Sequence, residues 1–281
     1  MNCRMGPMMK KILMMLVWGC SALTLTHADA SKLNDVLDIK TLRVCTTGDY
    51  KPYSFLKTDG TYEGIDVSMA HSLAKSLGAE VEFVQTSWKT LMADFLDDKC
   101  DIAMGGISIS LARQQQVYMS EPLGVDGKIP FVRCEDAKKY NTLSALNHKT
   151  VRAIEPAGGT NEAFVRKYMP NAKLELFHDN TTIFKNLVDK KADVMITDAS
   201  EALYQKRYYP TLCAVNPDKP LEFFEKGYML PKGDISWKLY VDQWLHLMQK
   251  NGEYNAISAH WLKLDDVGHH DKKHATTKHS H

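Results

Sequence analysis

The chain has 281 residues, of which 44% are hydrophobic and 25% charged, and this is ordinary for one or two globular domains. Its formal net charge is +1, and it contains no long basic run interleaved with aromatic residues. These features argue against a nucleic-acid-binding function.

The first 30 residues have the pattern of a secretory signal peptide. Basic residues at 4, 10 and 11 precede an apolar run over Ile12–Leu25, and Ala28 and Ala30 form a small-residue cleavage site. The run is too short for a comfortable membrane span, and no later stretch is longer and equally apolar. We expect cleavage after Ala30 and export of the mature protein. An uncut anchor and a lipid-modified Cys20 are the alternatives.

Four cysteines remain after this cleavage, namely Cys45, Cys100, Cys134 and Cys213. An oxidising compartment permits disulfides, and four cysteines allow three pairings. No C-x-x-C pair occurs, so a zinc site or a thioredoxin-like site is not indicated. Cys134–Cys213 is the favoured pair because these residues flank one continuous segment. Cys45 and Cys100 either pair or stay as buried thiols.

Short β-rich runs alternate with helical patterns in the first part of the mature chain. Strands are predicted at Leu42–Thr46, Glu80–Val84 and Asp101–Met104, and helices at Asp66–Leu77 and Trp88–Asp97. This βαβαβ order predicts a parallel sheet covered by helices.

The same order recurs later in the chain. Strands are predicted at Thr150–Ile154, Lys173–Phe177 and Asp193–Thr197, and helices at Glu162–Tyr168, at Asn180–Asp189 and from Ala199. Two units of similar size predict two lobes.

Two segments connect these lobes, Val125–Phe131 and the proline-marked Asn216–Pro220. A strand at Gly227–Leu230 and helices at Trp237–Lys250 and Tyr254–Lys263 follow and are expected to return to the first lobe. Two crossings form a hinge that can close around a ligand. The predicted divisions are a signal peptide at 1–30, lobe 1 at 31–126 and 220–267, lobe 2 at 127–219 and a tail at 268–281.

The tail is polar and holds five histidines. A disordered, solvated segment is the favoured interpretation, with binding of divalent metals as the alternative. In open parallel sheets, ligands bind beyond the carboxyl ends of the strands. The ends at 46–50, 105–110, 156–161 and 197–201 should therefore face one another across a cleft.

Three motifs resemble the amino-acid-binding family of periplasmic solute-binding proteins. They are DIAMGGISISLARQQQVYMSEPL (Asp101–Leu123), ADVMITD (Ala192–Asp198) and NGEYNAISAHWLK (Asn251–Lys263), and the resemblance covers nearly all of 40–263. It implies an α/β, two-lobed fold with a mostly parallel sheet and flanking helices in each lobe. It also implies a periplasmic location and a small ligand that carries a carboxylate.

This resemblance assigns the ligand carboxylate to Arg113, with Ser108 as its partner and Gly106 allowing close backbone approach. A planar guanidinium fits a carboxylate through two parallel charge-assisted hydrogen bonds. A surface salt bridge is the alternative role for Arg113. Asp49 is a further binding candidate, and simple turn chemistry is its alternative.

Seven further blocks resemble the dehydratases built on this fold, which convert prephenate to phenylpyruvate and arogenate to phenylalanine. They are TTGDYKPYSF (Thr46–Phe55), TSWKTLM (Thr86–Met92), DGKIP (Asp126–Pro130), GGTNEAF (Gly158–Phe164), DNTTIF (Asp179–Phe184), ITDASEA (Ile196–Ala202) and YVDQWLH (Tyr240–His246). The narrower resemblance implies an enzyme that needs no metal and no organic cofactor.

The same resemblance implies catalytic roles for Glu201, as the general acid, and for Lys128 at the first hinge crossing. Asp198 occupies the position that takes the ligand ammonium in amino-acid binders, and close carboxylates raise one another's pKa. An exposed hinge lysine is the alternative role for Lys128.

Three further residues are candidates for substrate contacts. Trp88 would form an apolar wall for the substrate ring, and core packing is its alternative. Thr160 and Asn161 begin a helix whose N–H groups can receive an anion, and ordinary N-capping is their alternative.

One residue departs from the dehydratase pattern: Pro156 stands where those enzymes carry Asn. Proline cannot donate a hydrogen bond there, so that contact is dispensable, is supplied by a residue such as Asn161, or is lost with a change in activity. The competing hypothesis is an amino-acid receptor that delivers its ligand to a membrane transporter. The sequence leaves the oligomeric state open.

Overall fold

The computed structural model describes residues Ser31–Leu262. The signal peptide and the histidine-rich tail predicted above lie outside the described residues. The helices are α1 (Lys32–Ile39), α2 (Ile65–Ser76), α3 (Leu91–Leu96), α4 (Leu111–Gln114), α5 (Leu143–Leu146), α6 (Thr160–Tyr168), α7 (Ile183–Val188), α8 (Ala199–Gln205), α9 (Ile235–Lys250) and α10 (Glu253–Leu262).

The strands are β1 (Thr41–Thr46), β2 (Asp49–Tyr50), β3 (Ser54–Leu56), β4 (Tyr62–Glu63), β5 (Glu80–Gln85), β6 (Ile102–Ala103), β7 (Tyr118–Met119), β8 (Gly124–Arg133), β9 (Arg152–Pro156), β10 (Lys173–Phe177), β11 (Val194–Asp198), β12 (Leu212–Ala214), β13 (Glu222–Lys226) and β14 (Met229–Leu230).

The sheet of the first lobe has the order β5-β1-β6-β14-β7. β1 runs parallel to both β5 and β6, whereas β14 is antiparallel to β6 and β7. Helix α2 packs on this sheet through Ile65, Met69 and Leu73, which repeat every four residues and are buried in one core. Helices α9 and α10 contribute to the same core, as their predicted return requires.

The sheet of the second lobe has the order β10-β9-β11-β8-β12, with β13 also paired to β8. Helices cover both faces, so its central strands are apolar on both sides. In β11, Val194 and Ile196 join the core that contains Phe164 of α6, while Met195 joins the core that contains Phe184 of α7.

The two lobes are connected by an antiparallel ribbon of β8 and β13. Its register runs from Glu222 opposite Lys128 to Lys226 opposite Gly124. β8 continues into the second sheet, and the chain after β13 enters the first sheet as β14. The α/β class, the two lobes and the two crossings are as predicted. Both sheets are mixed rather than mostly parallel, because the strands next to the crossings run antiparallel; the exact lobe bounds stay a prediction.

Two predicted helices begin later than expected. The helix expected from Trp88 begins at Leu91, because Ser87 and Thr90 form a turn in which the Thr90 N–H donates to Ser87 Oγ. The helix expected from Asn180 begins at Ile183, after Asp179 has accepted hydrogen bonds from the next residues. Side-chain to backbone bonds of this kind compete with the first helical turn.

Both disulfides form within the described residues. Cys134 pairs with Cys213, as favoured, and Cys45 pairs with Cys100. Among helices of Ser31–Leu262, none combines the length and the apolar character needed to cross a bilayer.

Candidate functional site

A cavity that is partly open to solvent, with about 300 Å³ of empty space, lies between the carboxyl ends of strands from both sheets. Its lining comprises Tyr50, Trp88, Gly106, Ser108, Pro156, Gly159, Thr160, Asn161, Asn180 and Asp198. Residues of both lobes thus line one pocket, as the rule for parallel sheets predicts.

Gly106 forms part of the first-lobe wall. Its φ is +72°, and a Cβ there would lie 2.5 Å from a ring atom of Tyr50, so only glycine fits without displacing that ring. The Gly106 N–H donates to Asp66 Oδ2 over 2.6 Å, which holds the loop after β6 against α2. Burial raises the pKa of Asp66 to about 6.

Asp198 ends β11 and precedes α8, so its carboxylate lies at the cleft edge of the second sheet. Both of its oxygens are already engaged. Oδ1 accepts from Lys128 Nζ at 2.6 Å, and Oδ2 accepts from Lys226 Nζ and from the Tyr50 hydroxyl. Burial alone would raise the pKa of Asp198, but the two ammonium groups hold it well below its usual range.

Lys128 extends from the hinge strand β8 into the second lobe, and only 1% of it is exposed. Besides Asp198, its Nζ donates to Thr160 Oγ1 at 2.9 Å and to Asn161 Oδ1. Burial lowers the pKa of Lys128, and the charge of Asp198 opposes that shift. The exposed-lysine alternative is therefore wrong.

Lys226 is the matching cation on the other hinge strand. Its Nζ donates to the Gly106 carbonyl at 2.9 Å and lies 3.9 Å from Asp126 Oδ2. Three aromatic rings also surround this ammonium, with centroid distances of 5.1 Å to Tyr50, 5.4 Å to Tyr53 and 5.2 Å to Phe224. These distances are within the range of cation–π attraction.

Glu201 lies in the first turn of α8 and is completely buried. Oε2 accepts from the Thr197 hydroxyl, while Oε1 has no hydrogen-bond partner among the described residues. Burial raises the pKa of Glu201 to about 8, and the charge of Asp198 adds to this shift although the Thr197 bond opposes it. A buried carboxyl with this pKa holds its proton at neutral pH.

Glu155 is a second fully buried carboxyl, on β9. β9 and β11 share only the Ala153–Val194 pair, and beyond it Glu155 Oε1 accepts the Ile196 N–H at 2.6 Å. The Glu155 side chain thus replaces a backbone hydrogen bond that is missing between β9 and β11. Burial raises the pKa of Glu155 well above its usual value, and the nearby charges of Glu201 and Asp198 act in the same direction.

Arg113 lies on α4, and its Nη1 donates to the Ser108 carbonyl at 2.6 Å. Desolvation lowers the pKa of Arg113 to about 10, although the opposing charge of Asp198 favours the guanidinium. Arg113 has no salt bridge among the described residues, so its charge has no protein counter-ion in direct contact. It does not itself line the cavity.

Six of the ten predicted site residues line the cavity: Gly106, Ser108, Trp88, Thr160, Asn161 and Asp198. The Trp88 ring packs edge-on against Tyr50 at 5.4 Å. Lys128 and Glu201 are not among the lining residues. Lys128 donates to Asp198, and Glu201 lies three residues after Asp198 in α8. Asp49 lines a neighbouring pocket with Gln205 and Tyr208, and burial raises its pKa.

Sequence reasoning missed Lys226, Glu155, Asp126 and Asn180. It did place Tyr50 at the cleft, as the last residue of the strand end at 46–50, with turn chemistry as the alternative role. Lys226 directly precedes the strand predicted at 227–230, so its place beside the second crossing was a usable signal. Asp126 Oδ2 accepts a hydrogen bond of 2.5 Å from the Ser200 hydroxyl. The two residues are distant in sequence, so no local sequence pattern predicts this contact. Pro156 does line the cavity, so the departure from the dehydratase pattern concerns the site itself.

The sequence of this chain is similar to that of known solute-binding proteins and of one enzyme. Residues 42–264 match the family described as bacterial extracellular solute-binding proteins, family 3. The chain belongs to this family. It is 48% identical over 237 residues to cyclohexadienyl dehydratase of Pseudomonas aeruginosa, covering 84% of this chain and 88% of that enzyme. It is 28% identical to the L-cystine-binding protein TcyJ of Escherichia coli, covering 85% and 89%.

Solved structures give the same result. An ancestral amino-acid-binding protein, described as a precursor of cyclohexadienyl dehydratase, matches with a TM-score of 0.77 and 33% identity, over 83% of this chain and all of that one. An ancestral cyclohexadienyl dehydratase matches with a TM-score of 0.54 and 48% identity, over 85% and 99%. The family resemblance, including its dehydratase branch, is therefore confirmed.

Proposed function

We propose that this protein is a cyclohexadienyl dehydratase, which converts prephenate to phenylpyruvate and arogenate to phenylalanine. The 48% identity to the Pseudomonas aeruginosa enzyme supports this activity. The observation that carries the residue-level proposal is the buried Glu201 carboxyl, with a pKa of about 8 and one oxygen free of protein partners. A protonated acid of this kind is what the departing hydroxyl requires.

The reaction breaks two bonds of the substrate ring. The bond between the ring and its carboxylate breaks as carbon dioxide leaves, and its electron pair becomes part of the aromatic ring. The ring hydroxyl departs from the carbon on the opposite side of the ring. Glu201 does not line the cavity, so its unpartnered Oε1 has to become accessible from the cleft before Glu201 gives its proton to that hydroxyl. Water then leaves, and Glu201 becomes a carboxylate that solvent must reprotonate. Aromatisation drives the step, and the protein has to position the substrate and supply one proton.

Arg113 and Lys128 are the cations that we propose to interact with the two carboxylates of prephenate. Arg113 has no salt-bridge partner among the residues described, and its charge-assisted bonds suit a carboxylate at the Ser108 side of the cavity. The hydroxyl of Thr160, at the start of α6, lies on the opposite wall beside Lys128. Lys128 would therefore act on the second carboxylate through Thr160, whose hydroxyl accepts from Nζ and can donate its own proton to an anion. The Lys128 charge would also stabilise the Glu201 carboxylate after proton transfer. Trp88 would contact the ring of the substrate.

The proposed location is the periplasm, after removal of residues 1–30. Family membership supports an extracellular protein, and two disulfides suit an oxidising compartment. The proposed partner is the small-molecule substrate, without nucleic acid.

The test is direct formation of phenylpyruvate from prephenate by the purified mature protein, without added metal. We expect turnover by the wild type, and Glu201→Gln should abolish it because the amide cannot give up a proton. Glu175→Gln is the matched control, since Glu175 is an exposed glutamate of the same lobe. Absence of turnover together with tight binding of a free amino acid would instead favour the receptor hypothesis.

A further inference from the structure

A second cavity, here called the side pocket, lies beside the cavity assigned to the substrate. It is partly open to solvent and contains about 560 Å³ of empty space. Its lining comprises Asp49, Lys51, Phe55, Thr181, Gln205, Tyr208 and Tyr209. Tyr50 and Asn180, the chain neighbours of two of these residues, line the substrate cavity instead. Because Asn180 Nδ2 donates to the Asp49 carbonyl at 3.1 Å, the two cavities share a wall that joins the lobes.

Glu201 lies one helical turn from the side pocket. Glu201 and Gln205 are four residues apart in α8, so their side chains lie on the same face of the helix. Gln205 lines the side pocket, whereas Glu201 is absent from the lining of the substrate cavity. The charge of Asp49 raises the pKa of Glu201, so these two carboxyls also interact electrostatically. Glu201 is therefore closely connected to the side pocket.

Three buried oxygen atoms in this region have no hydrogen-bond partner among the described residues: Glu201 Oε1, Asp49 Oδ1 and Asn180 Oδ1. Buried polar atoms that lack protein partners are commonly paired with ordered water. Asp49 is partly exposed as a residue although its Oδ1 is buried, so its carboxyl can contact both solvent in the side pocket and a buried water. Burial also raises the pKa of Asp49, which increases the fraction of this carboxyl that carries a proton.

We propose that Asp49 relays protons from solvent in the side pocket to Glu201 through buried water. This inference rests on the proposed function, in which Glu201 loses one proton in each turnover. The protonated Asp49 carboxyl gives its proton to the water, and the water passes one of its own protons to Glu201 Oε1. Asp49 is then a carboxylate, and it takes its next proton from solvent. Asp49 thus acts through Glu201 rather than on the substrate, and this route stays open while product occupies the substrate cavity.

The first test is Asp49→Asn, assayed with prephenate near neutral pH in dilute buffer. Asparagine has a similar size but gives up no proton, so kcat should fall by about 100-fold. The ratio kcat/KM should stay close to the wild-type value, because reprotonation follows the irreversible loss of carbon dioxide. Asp38→Asn, at an exposed aspartate of the first lobe, is the control and should leave both constants unchanged. A wild-type kcat in Asp49→Asn would overturn the inference.

Chemical rescue distinguishes a relay from a structural role. Imidazole is small enough to enter the side pocket, and its protonated form can supply the missing proton. It should therefore increase kcat of Asp49→Asn in proportion to its concentration and leave the wild-type kcat unchanged. A parallel loss of kcat and kcat/KM that imidazole does not relieve would contradict the relay.

A second variant covers the case in which Asp49→Asn does not fold, which circular dichroism would reveal. Thr181→Phe narrows the side pocket at an exposed residue of its lining and leaves Asp49 in place. It should lower kcat while kcat/KM stays close to the wild-type value. An unchanged kcat in this variant would count against the side pocket as the source of protons.

Infrared spectroscopy separates failure of this inference from failure of the proposed function. If the wild type does not turn over prephenate, the proposed activity fails, but Glu201 still exchanges protons with solvent. The carbonyl band of its protonated carboxyl, identified by its loss in Glu201→Gln, should appear after a rapid pH jump from above to below its pKa of about 8. The band should appear more slowly in Asp49→Asn than in the wild type, and imidazole should accelerate it. Equal rates in the two proteins would overturn the relay.

Discussion

The hydroxyl of Thr197 donates to Oε2 of Glu201, four residues later, and this bond lowers the pKa of a carboxyl that burial raises. The charge of Asp198 and that of Asp49 raise the pKa, while Lys226 lowers it. The balance, a pKa of about 8, sets the pH range in which Glu201 carries a proton.

The pH profile of the wild type should report this pKa. A general acid acts in its protonated form, so kcat/KM for prephenate should be level near neutral pH and fall as pH rises through about 8. Steady-state kinetics between pH 6 and 10 would measure the alkaline limb. An activity that increases through this range would contradict the role of Glu201 as an acid.

Thr197→Val should move that limb to higher pH. Valine has a similar shape, so packing in the fully buried site is kept while the bond that favours the carboxylate is lost. We expect the apparent pKa in kcat/KM to rise by about one unit. Thr211→Val, at an exposed threonine of the same lobe, is the control and should leave the profile in place.

Glu155 should affect stability more than chemistry. Glu155→Gln keeps an acceptor for the Ile196 N–H, whereas Glu155→Ala leaves that buried donor unpaired and should cost about 2–3 kcal/mol. Urea unfolding would measure both variants. Equal stabilities of the Ala and Gln variants would show that the bond to Ile196 is unimportant.

The raised pKa of Glu155 also gives a pH dependence of stability. In the folded state this carboxyl keeps its proton above the pH at which it ionises in the unfolded chain, so the folded protein binds more protons and its stability falls as pH rises. Glu155→Gln removes this contribution. The free energy of unfolding of the variant should increase relative to that of the wild type as pH rises above about 4.5, the ordinary pKa of a glutamate.

Pro156→Asn tests the departure from the dehydratase pattern. Position 156 lines the cavity, so an asparagine there would present an amide to the substrate. We expect kcat to increase by about tenfold, as one added hydrogen bond in the transition state would give. Pro170→Asn, at an exposed position, should have no effect. A fall in kcat would mean that this cavity is shaped for proline.

The Cys134–Cys213 disulfide should contribute substantially to stability. Its residues are 79 apart in sequence, and a cross-link over such a loop restricts the unfolded chain by up to about 4 kcal/mol. Replacing both cysteines with serine should lower the free energy of unfolding by about 2–4 kcal/mol in denaturant titration. Cys45 and Cys100, left intact, keep the first-lobe disulfide as an internal reference.

Much of the fold was predictable because hydrophobic periodicity records it locally. The spacing of Ile65, Met69 and Leu73 fixes α2, and the apolar run at β11 fixes a strand covered on both faces. The small sheet of β2, β3 and β4 was not predicted, since two of its strands have only two residues each and leave no period to detect.

The site was only partly predictable for a different reason. Asp198, Ser108 and Thr160 follow predicted strands, so the rule of strand ends places them at the cleft. The Lys226 ammonium donates hydrogen bonds to Asp198, 28 residues away in sequence, and to Tyr50, 176 residues away. Contacts over such distances depend on the β8–β13 pairing, which no local pattern contains.

That ribbon also determines what an opening of the cleft would change. Lys128 and Lys226 lie on the ribbon about which the lobes would rotate, whereas Tyr50 belongs to the first lobe and Asp198 to the second. Opening of the cleft would separate the Tyr50 hydroxyl from the Asp198 carboxylate, while Lys128 and Lys226, on the hinge ribbon, would move least. The electrostatic centre would thus be assembled before any substrate arrives, and lobe movement would regulate access to it rather than its charge.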